Sequence, residues 1–463
     1  MVNDAIRPGL KQGDEFASLN GQRRGSVGEF LGQGGQGAVF RADFGTGVYA
    51  IKWYHNHYID IDTNLKDRLV RAIARGAPDH RFLWPLELVF RPEQPGSFGY
   101  VMGIRPGEFR SIRELLAPPP NRIELSLEKR FFVCWQIADS FLSMHANGFC
   151  YQDINFGNFF IHPSTGQVMI CDNDNVNVDG GEASVYGTRK FMAPEIVRRE
   201  TFPNSRTDLY SMAVLFFYVL IGWHPLDGKR EAEAQILTPD LEQALYGTDP
   251  LFIFDAGNDA NGPVSPLHDM LVCRWNTLPA SLRSLFQKAF GPGLHNPNER
   301  VIEKDWIKAF EACQRAVFTC DVCRFEHVFA PELDTSTEIS CAYCSESVAV
   351  PATFRFGNKC IALTIDSVIA LTDLGNASAN RWESAAVIVG HPTKPGVLGM
   401  RNTTSDPWRV KSADGTITLV SPGKTVLLAD RLLIEIGQHS GRIHAPSGVS
   451  SLKNLETEVT NAE

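Results

Sequence analysis

Three hydrophobic rhythms succeed one another along this chain, and each admits a different kind of structure. From about residue 27 to 54, VGEFLGQGGQGAVFRADFGTGVYAIKWY alternates apolar and polar positions around glycines, which predicts three antiparallel strands. A helical pattern from Asn64 to Arg75 follows, then two more strands in LELVF and FGYVMGI, then a break at Pro118, Pro119 and Pro120. Beyond it the period is helical: Leu125 to His145, Arg206 to Gly222, Glu231 to Tyr246, Pro279 to Phe290 and Ile302 to Val317. From Phe318 onward short Val/Ile/Thr runs separated by Gly, Pro and Asn predict an all-β region. A small strand-rich lobe followed by a helical one is an α+β arrangement.

At 463 residues the chain has room for two or three domains. Its net charge of -9 and pI near 5.8 argue against nucleic acid or an anionic membrane as the main partner. The first residues, MVNDAIRPGLKQGDEF, lack the pattern of a secretory signal, and the apolar run from Ala213 to Gly222 is too short to span a bilayer. Six of the ten cysteines are scattered among apolar residues, as reduced core thiols are, so a cytoplasmic location is expected.

The segment YQDINFGN sets Asp153 and Asn158 five positions apart after the Leu125 to His145 pattern. Alone it reads as a surface turn, since both residue types bond their own backbone. Upstream, Gly32, Gly34 and Gly37 give GxGxxGxV between two strands, where missing side chains let backbone N–H groups approach phosphate oxygens. Lys52 lies fifteen residues beyond Gly37, on the third strand. Asp172, in VMICDND, follows a strand pair closed by HPSTG, and GTRKFMAPE comes next.

In this order the segments resemble the eukaryotic-type (Hanks-like) serine/threonine protein kinases over about residues 27 to 315. The resemblance implies a bilobal fold binding ATP and Mg²⁺ or Mn²⁺. Lys52 would hold the α- and β-phosphates, Asn158 and Asp172 the metal, and Asp153 would orient the substrate hydroxyl and accept its proton. The nucleotide would lie among Gly32, Gly34, Gly35, Gly37, Val39 and Ala50. Met102 would be the gatekeeper, with adenine on the backbone of Gly103, Ile104 and Arg105. Ala193, Pro194 and Glu195 would close the activation segment, Asp208 would anchor the catalytic loop, and Arg300 would pair with Glu195. Thr188 matches the threonine characteristic of serine/threonine kinases, its hydroxyl available to Asp153.

Several positions depart from that pattern. Tyr151, Gln152 and Asn155 replace His, Arg and Lys in the catalytic loop, and Asp172, Asn173, Asp174 replace Asp, Phe, Gly. On an extended segment both carboxylates face the metal, so Asp174 joins the expected magnesium ligands. The helix-borne acid that pairs with the strand lysine has no clear counterpart: Asp67 stands one helical turn before Arg71, where a solvated pair is expected. Glutamine at 152 carries no charge, so phosphate on Ser184, Tyr186 or Thr188 is not expected to be the main on-switch.

In the tail, Cys320 and Cys323, then Cys341 and Cys344, form two CxxC pairs separated by 17 residues, the pattern of a structural Zn²⁺ site in a zinc ribbon. The strands beyond resemble a forkhead-associated-like module, a β-rich docking unit, though a phosphothreonine-reading set is not evident. The layout is similar to bacterial kinases of the phosphorylation triads associated with tellurite resistance. That resemblance implies a PP2C-like phosphatase and a von Willebrand A-like protein as partners beside the protein substrate. The expected division is a flexible segment 1–24, a kinase domain 25–317 with lobes at about 25–104 and 105–317, a zinc ribbon 318–350, a β module 351–446 and a disordered tail 447–463. Two functions are compatible with these residues: a kinase, or a pseudokinase that binds nucleotide and recruits partners through its tail.

Overall fold

The computed structural model describes residues 9–445, apart from 20, 46, 95, 182–185, 331–337, 358, 375–382 and 395, together with the backbone of 459–460. It divides into two compact units, one made of Met1–Leu125, Phe132–His268 and Ser284–Ile307, the other of Ser126–Phe131, Asp269–Arg283 and Lys308–Glu463. Among the described residues no helix is long and apolar enough to cross a membrane.

The first unit opens with a closed antiparallel barrel of six strands: β1 (Glu15–Ser18), β2 (Arg24–Gln33), β3 (Gly37–Phe44), β4 (Gly47–Tyr54), β5 (Pro85–Phe90) and β6 (Phe98–Met102), in the order β1-β2-β3-β4-β6-β5. Alternation sends Val27, Phe40, Ile51, Trp53 and Val101 into one core. The register sets Val39 opposite Lys52 and Ala50 opposite both Arg41 and Met102. Strand β1 falls within the segment 1–24 that the sequence marks as flexible, and corrects that expectation for the described part. Phe16 is buried with its ring stacked on Phe44 at 5.6 Å, and β1 pairs with both β2 and β5. So short a strand carries little signal of its own; its two neighbours impose it.

The helices Leu65–Arg75, Leu127–Ala146, Ser205–Ile221, Ala280–Phe290 and Glu303–Gln314 follow the sequence periodicity closely. The Ser205–Ile221 helix is apolar on nearly every side because it is buried on nearly every side. Asn204 and Thr207 form its capping box and Gly222, at φ 86°, ends it. The single helix expected from Glu231 to Tyr246 is instead two short ones, Lys229–Ala232 and Pro239–Gln243, with a wide turn at Ala244–Thr248. Proline cannot continue a helix interior but starts one well, and Thr238 caps the new start through Leu241 N–H at 3.2 Å. A further helix, Asp269–Thr277, was not evident in the sequence.

In the second unit the hairpins Val317–Thr319/Glu326–Val328 and Glu338–Ser340/Ser347–Ala349 present the four clustered cysteines. A sandwich follows, with one sheet of six strands and one of five, closing on a core that includes Phe354, Ile369, Ile388, Met400, Trp408 and Ile434. This unit does not begin at 318. The ring of Phe131 stacks on Phe310 at 6.4 Å, Glu326 accepts from Leu127 N–H at 2.8 Å, and Arg315 reaches Asp373 at 3.0 Å, so helix ends join it. The tail 447–463 lies outside the described residues except for a backbone pairing of Val459 and Thr460 with Val426 and Thr425.

Candidate active site

The cleft between the barrel and the helices collects the predicted residues. Gly37 sits where β3 crosses β4 closely: a Cβ there would meet the Trp53 carbonyl oxygen at 2.3 Å, so only glycine fits. Around Gly34 and Gly35 a Cβ would meet nothing within 4 Å, which leaves that loop open to an incoming group. Ala50 and Met102 are buried at the back of the cleft, and the chain leaves the sheet after Met102 through Gly103 and Ile104.

The turn that carries Asp153 is held by a neighbouring helix. Asp208, buried in the first turn of its helix, accepts from Tyr151 N–H at 2.6 Å and Gln152 N–H at 3.1 Å, while Gln152 adopts φ 72°. The Tyr151 side chain is fully buried and its hydroxyl donates to the Cys171 carbonyl, tying the loop to the residue before Asp172. Asn155 closes the turn locally, its side-chain oxygen accepting from Gly157 N–H at 2.7 Å. Asn158 donates through Nδ2 to the Asp153 carbonyl at 2.9 Å, and Thr188 donates to Asp153 Oδ1 at 3.0 Å. Cys171 N–H bonds the Asn158 carbonyl at 2.8 Å, which places Asn158 beside the strand leading to Asp172. Glu195 and Arg300 form a buried bidentate pair at 2.8 and 2.7 Å.

Lys52 is almost fully buried and its ammonium meets three side chains: Asp172 at 2.5 Å, Asp174 at 2.8 Å and the Gln36 amide oxygen at 2.8 Å. Burial disfavours the charged lysine, but the two carboxylates outweigh it and hold the ammonium above the ordinary lysine range. Burial pushes the Asp172 carboxyl up to about 6 against the pull of Lys52, with Asp174 adding to the rise. Burial works against ionised Asp174 as well, yet Lys52 and the Tyr54 hydroxyl keep it below the usual carboxylate value.

Asp174 does not sit as an extended segment would place it. Asp172, Asn173 and Asp174 do not lie on an extended segment. Asp172 is left-handed at φ 56°, and Asn173–Asn175 is a tight 3-10 turn that aims both carboxylates at Lys52. The Asp174 side chain has no exposed surface, whereas that of Asp172 is one-third exposed. Asn173, in place of an apolar residue, is wholly buried and donates to the Leu83 and Ile170 carbonyls at 2.8 and 3.0 Å, so polar bonds replace an apolar contact. Asp67 is exposed, as a solvated residue should be, and Arg68 beside it faces inward, bonded to Asp62 at 2.8 and 2.6 Å. The contributions of Gln36, Tyr54, Asn173 and Asn175 were not foreseen. Gln36 alone carried a hint, as the one bulky side chain between Gly34 and Gly37.

The donors fit Mg²⁺: a carboxylate and an amide oxygen side by side are hard ligands, and Asn158 has spent its nitrogen on Asp153, leaving Oδ1 for an ion. In the second unit the sulfurs of Cys320, Cys323, Cys341 and Cys344 all lie within 4.8 Å of one another. The Cys320–Cys344 and Cys323–Cys341 separations of 3.8 and 3.6 Å match the edge of a tetrahedron with Zn–S bonds of about 2.3 Å, roughly 3.8 Å. Both CxxC turns repeat one geometry. Arg324 and Ser345 have φ 65° and 64°, and their N–H groups return to the Cys320 and Cys341 carbonyls. Ser184 lies outside the described residues.

The stretch that builds this cleft is similar in sequence to known proteins. Residues 26–249 match the protein kinase domain. Over 213 residues, 44% of this chain, it is 29% identical to a putative protein kinase C delta type homolog of Drosophila melanogaster, covering 30% of that protein. It is 24% identical to human ribosomal protein S6 kinase alpha-2 over 58% of this chain and 38% of the relative. The bacterial protein kinase YegI of Escherichia coli K12 is 24% identical over 69% of this chain and 48% of its own length. The chain thus spans under half the length of these curated relatives. Lys52, Asp153, Asn158 and Asp172 all lie within residues 26–249, the stretch that matches the protein kinase domain.

Proposed function

We propose that this chain is an ATP- and Mg²⁺-dependent serine/threonine protein kinase that moves the γ-phosphoryl group of ATP to a protein hydroxyl. The observation that carries the reading is the Asp153 carboxylate, bonded by Thr188 at 3.0 Å on a turn that also holds Asn158, in a chain that also carries a buried lysine with its own acid partners. Phosphoryl transfer asks little covalent work of a protein, so position and charge neutralisation suffice. Mg²⁺ held by Asn158 and Asp172 would supply positive charge against the phosphates. Lys52 binds the α- and β-phosphates, Asn158 and Asp172 supply the metal ligands, and Asp153 takes the hydroxyl proton as the new O–P bond forms and the bond to ADP breaks. Gly32, Gly34, Gly35, Gly37, Val39, Ala50, Met102, Gly103 and Ile104 line the nucleotide site in this reading.

Structural Zn²⁺ on the four tail cysteines, a docking role for the sandwich, a cytoplasmic location in a bacterial cell, and a phosphatase and von Willebrand A-like protein as partners belong to the same proposal. The test is purified protein with Mg²⁺ or Mn²⁺ and labelled ATP, wild type beside three variants. Asp153→Ala should abolish transfer and keep ATP binding, while Lys52→Ala and Asp172→Ala should weaken nucleotide or metal binding. A wild type that binds ATP yet transfers nothing would favour the pseudokinase reading, to which Gln36 seated on Lys52 also lends support.

A further inference from the structure

Lysine is a compact, strongly hydrated charge on a flexible four-carbon stem, so a lysine that must meet phosphate oxygens needs a fixed counter-ion. We propose that Asp174 is that counter-ion, a positioning residue for Lys52, and that metal binding is left to Asp172 and Asn158. The proposal rests on the kinase reading above. The helix Leu65–Arg75 offers Lys52 no acid: its one carboxylate, Asp67, is exposed, and its buried polar residue is the cation Arg68, already bonded to Asp62. Asp174 meets Lys52 with both oxygens, at 3.0 and 2.8 Å, and one of them also accepts from the Tyr54 hydroxyl.

That side chain is fully enclosed, whereas Asp172 keeps a third of its surface exposed on the cleft side. The turn bearing Asp174 is pinned on both flanks, by Asn173 to the Leu83 and Ile170 carbonyls and by Asn175 to Gln36 at 2.8 Å. Lys52 is therefore indexed to the turn that carries Asp172 rather than to a helix. Lysine position and metal position become one rigid arrangement.

The test uses the full-length protein and two measurements that need no turnover. Lys52→Met strands an enclosed carboxylate and should lower the thermal unfolding midpoint. Adding Asp174→Asn should recover roughly half of that loss or more, and adding Asp172→Asn much less. Equal rescue by the two, or rescue by Asp172→Asn alone, overturns the proposal. Mn²⁺ affinity of the ATP-bound protein, read by electron paramagnetic resonance, should stay within about twofold of wild type in Asp174→Asn and fall about tenfold or more in Asp172→Asn. A fall of that size in Asp174→Asn overturns it too. Should Lys52→Met fail to fold, Tyr54→Phe removes only the hydroxyl held by Asp174. It should lower kcat several-fold with the Mn²⁺ dependence unmoved, and a moved Mn²⁺ dependence refutes the assignment. A wild type that binds Mn²⁺ and ATP without transferring phosphate would sink the kinase reading alone.

Discussion

Raising the pH should loosen the turn that carries Asp153, through a histidine that never touches it. His145 lies between two buried carboxylates, its Nδ1 on Glu303 and its Nε2 3.2 Å from Asp208. Burial opposes the charged ring, but the two acids raise it from 6.5 to about 9. A folded-state value above the unfolded one stabilises fully at low pH and is lost as the pH climbs through about 9. At about 1.4 kcal/mol per pH unit the contribution is capped at about 3.5 kcal/mol, and roughly 2.5 kcal/mol of it is present at pH 7. Asp208 is the acceptor for the Tyr151 and Gln152 N–H groups, so those amides report the loss. Quench-flow hydrogen exchange, corrected for base catalysis, should show their protection falling about 50-fold or more between pH 7 and pH 10. His145→Gln should begin low at pH 7 and stay flat. Equal protection at both pH values in wild type, or the same slope in His145→Gln, would refute the reasoning.

Other outcomes follow from single contacts. Arg300→Met strands Glu195 as a buried, unpaired carboxylate and should cost about 3–5 kcal/mol in urea denaturation, while the double change with Glu195→Met should cost clearly less. Thr188→Ala removes one hydrogen bond to Asp153, worth about 1.5–3 kcal/mol, so steady-state kcat should drop roughly 10- to 100-fold with little change in ATP affinity. Elemental analysis should find one zinc per chain. Chelation should unfold the paired hairpins at a cost on the order of 10 kcal/mol, seen as lost exchange protection at Arg324 and Ser345 N–H. Phosphatase treatment should leave activity nearly unchanged. The Ser211 hydroxyl holds the Phe191 carbonyl at 2.6 Å and Asp227 holds Lys190 at 2.6 Å, so this part of the segment is fixed without phosphate.

Features set by local spacing were legible in the sequence. Gly37 and Lys52 sit on neighbouring strands of one meander, each CxxC pair occupies one turn, and Asp153 and Asn158 bracket another; in each case a short stretch of chain decides the geometry. Asp208 was legible too, through the resemblance of TDLYS to the protein kinase pattern. What escaped were pairings decided by tertiary contact. Asp174 reaches residues more than a hundred positions away, and no local pattern separates a carboxylate aimed at a metal from one aimed at a lysine. An extended reading of Asp172–Asp174 failed because a left-handed residue and a tight turn intervene, and Asp at φ > 0 is tolerated without glycine. The segment around Phe16 looked too polar to order alone, and it does not order alone.

By pairing with both β2 and β5, β1 turns a sheet into a hoop. An open sheet can splay at its free margins. A closed one must pass any distortion around all six seams, so the barrel wall behaves as a stiff ring. The slack is left in the hairpin between β2 and β3, where Gly34 N–H bonds the Gly37 carbonyl at 2.9 Å and two glycines have empty space beside them. That hairpin is a flap hung on a rigid rim. Its grip depends on β1, the strand that pairs with β2 and closes the ring, so a lesion at Phe16 would register as a flap that no longer closes.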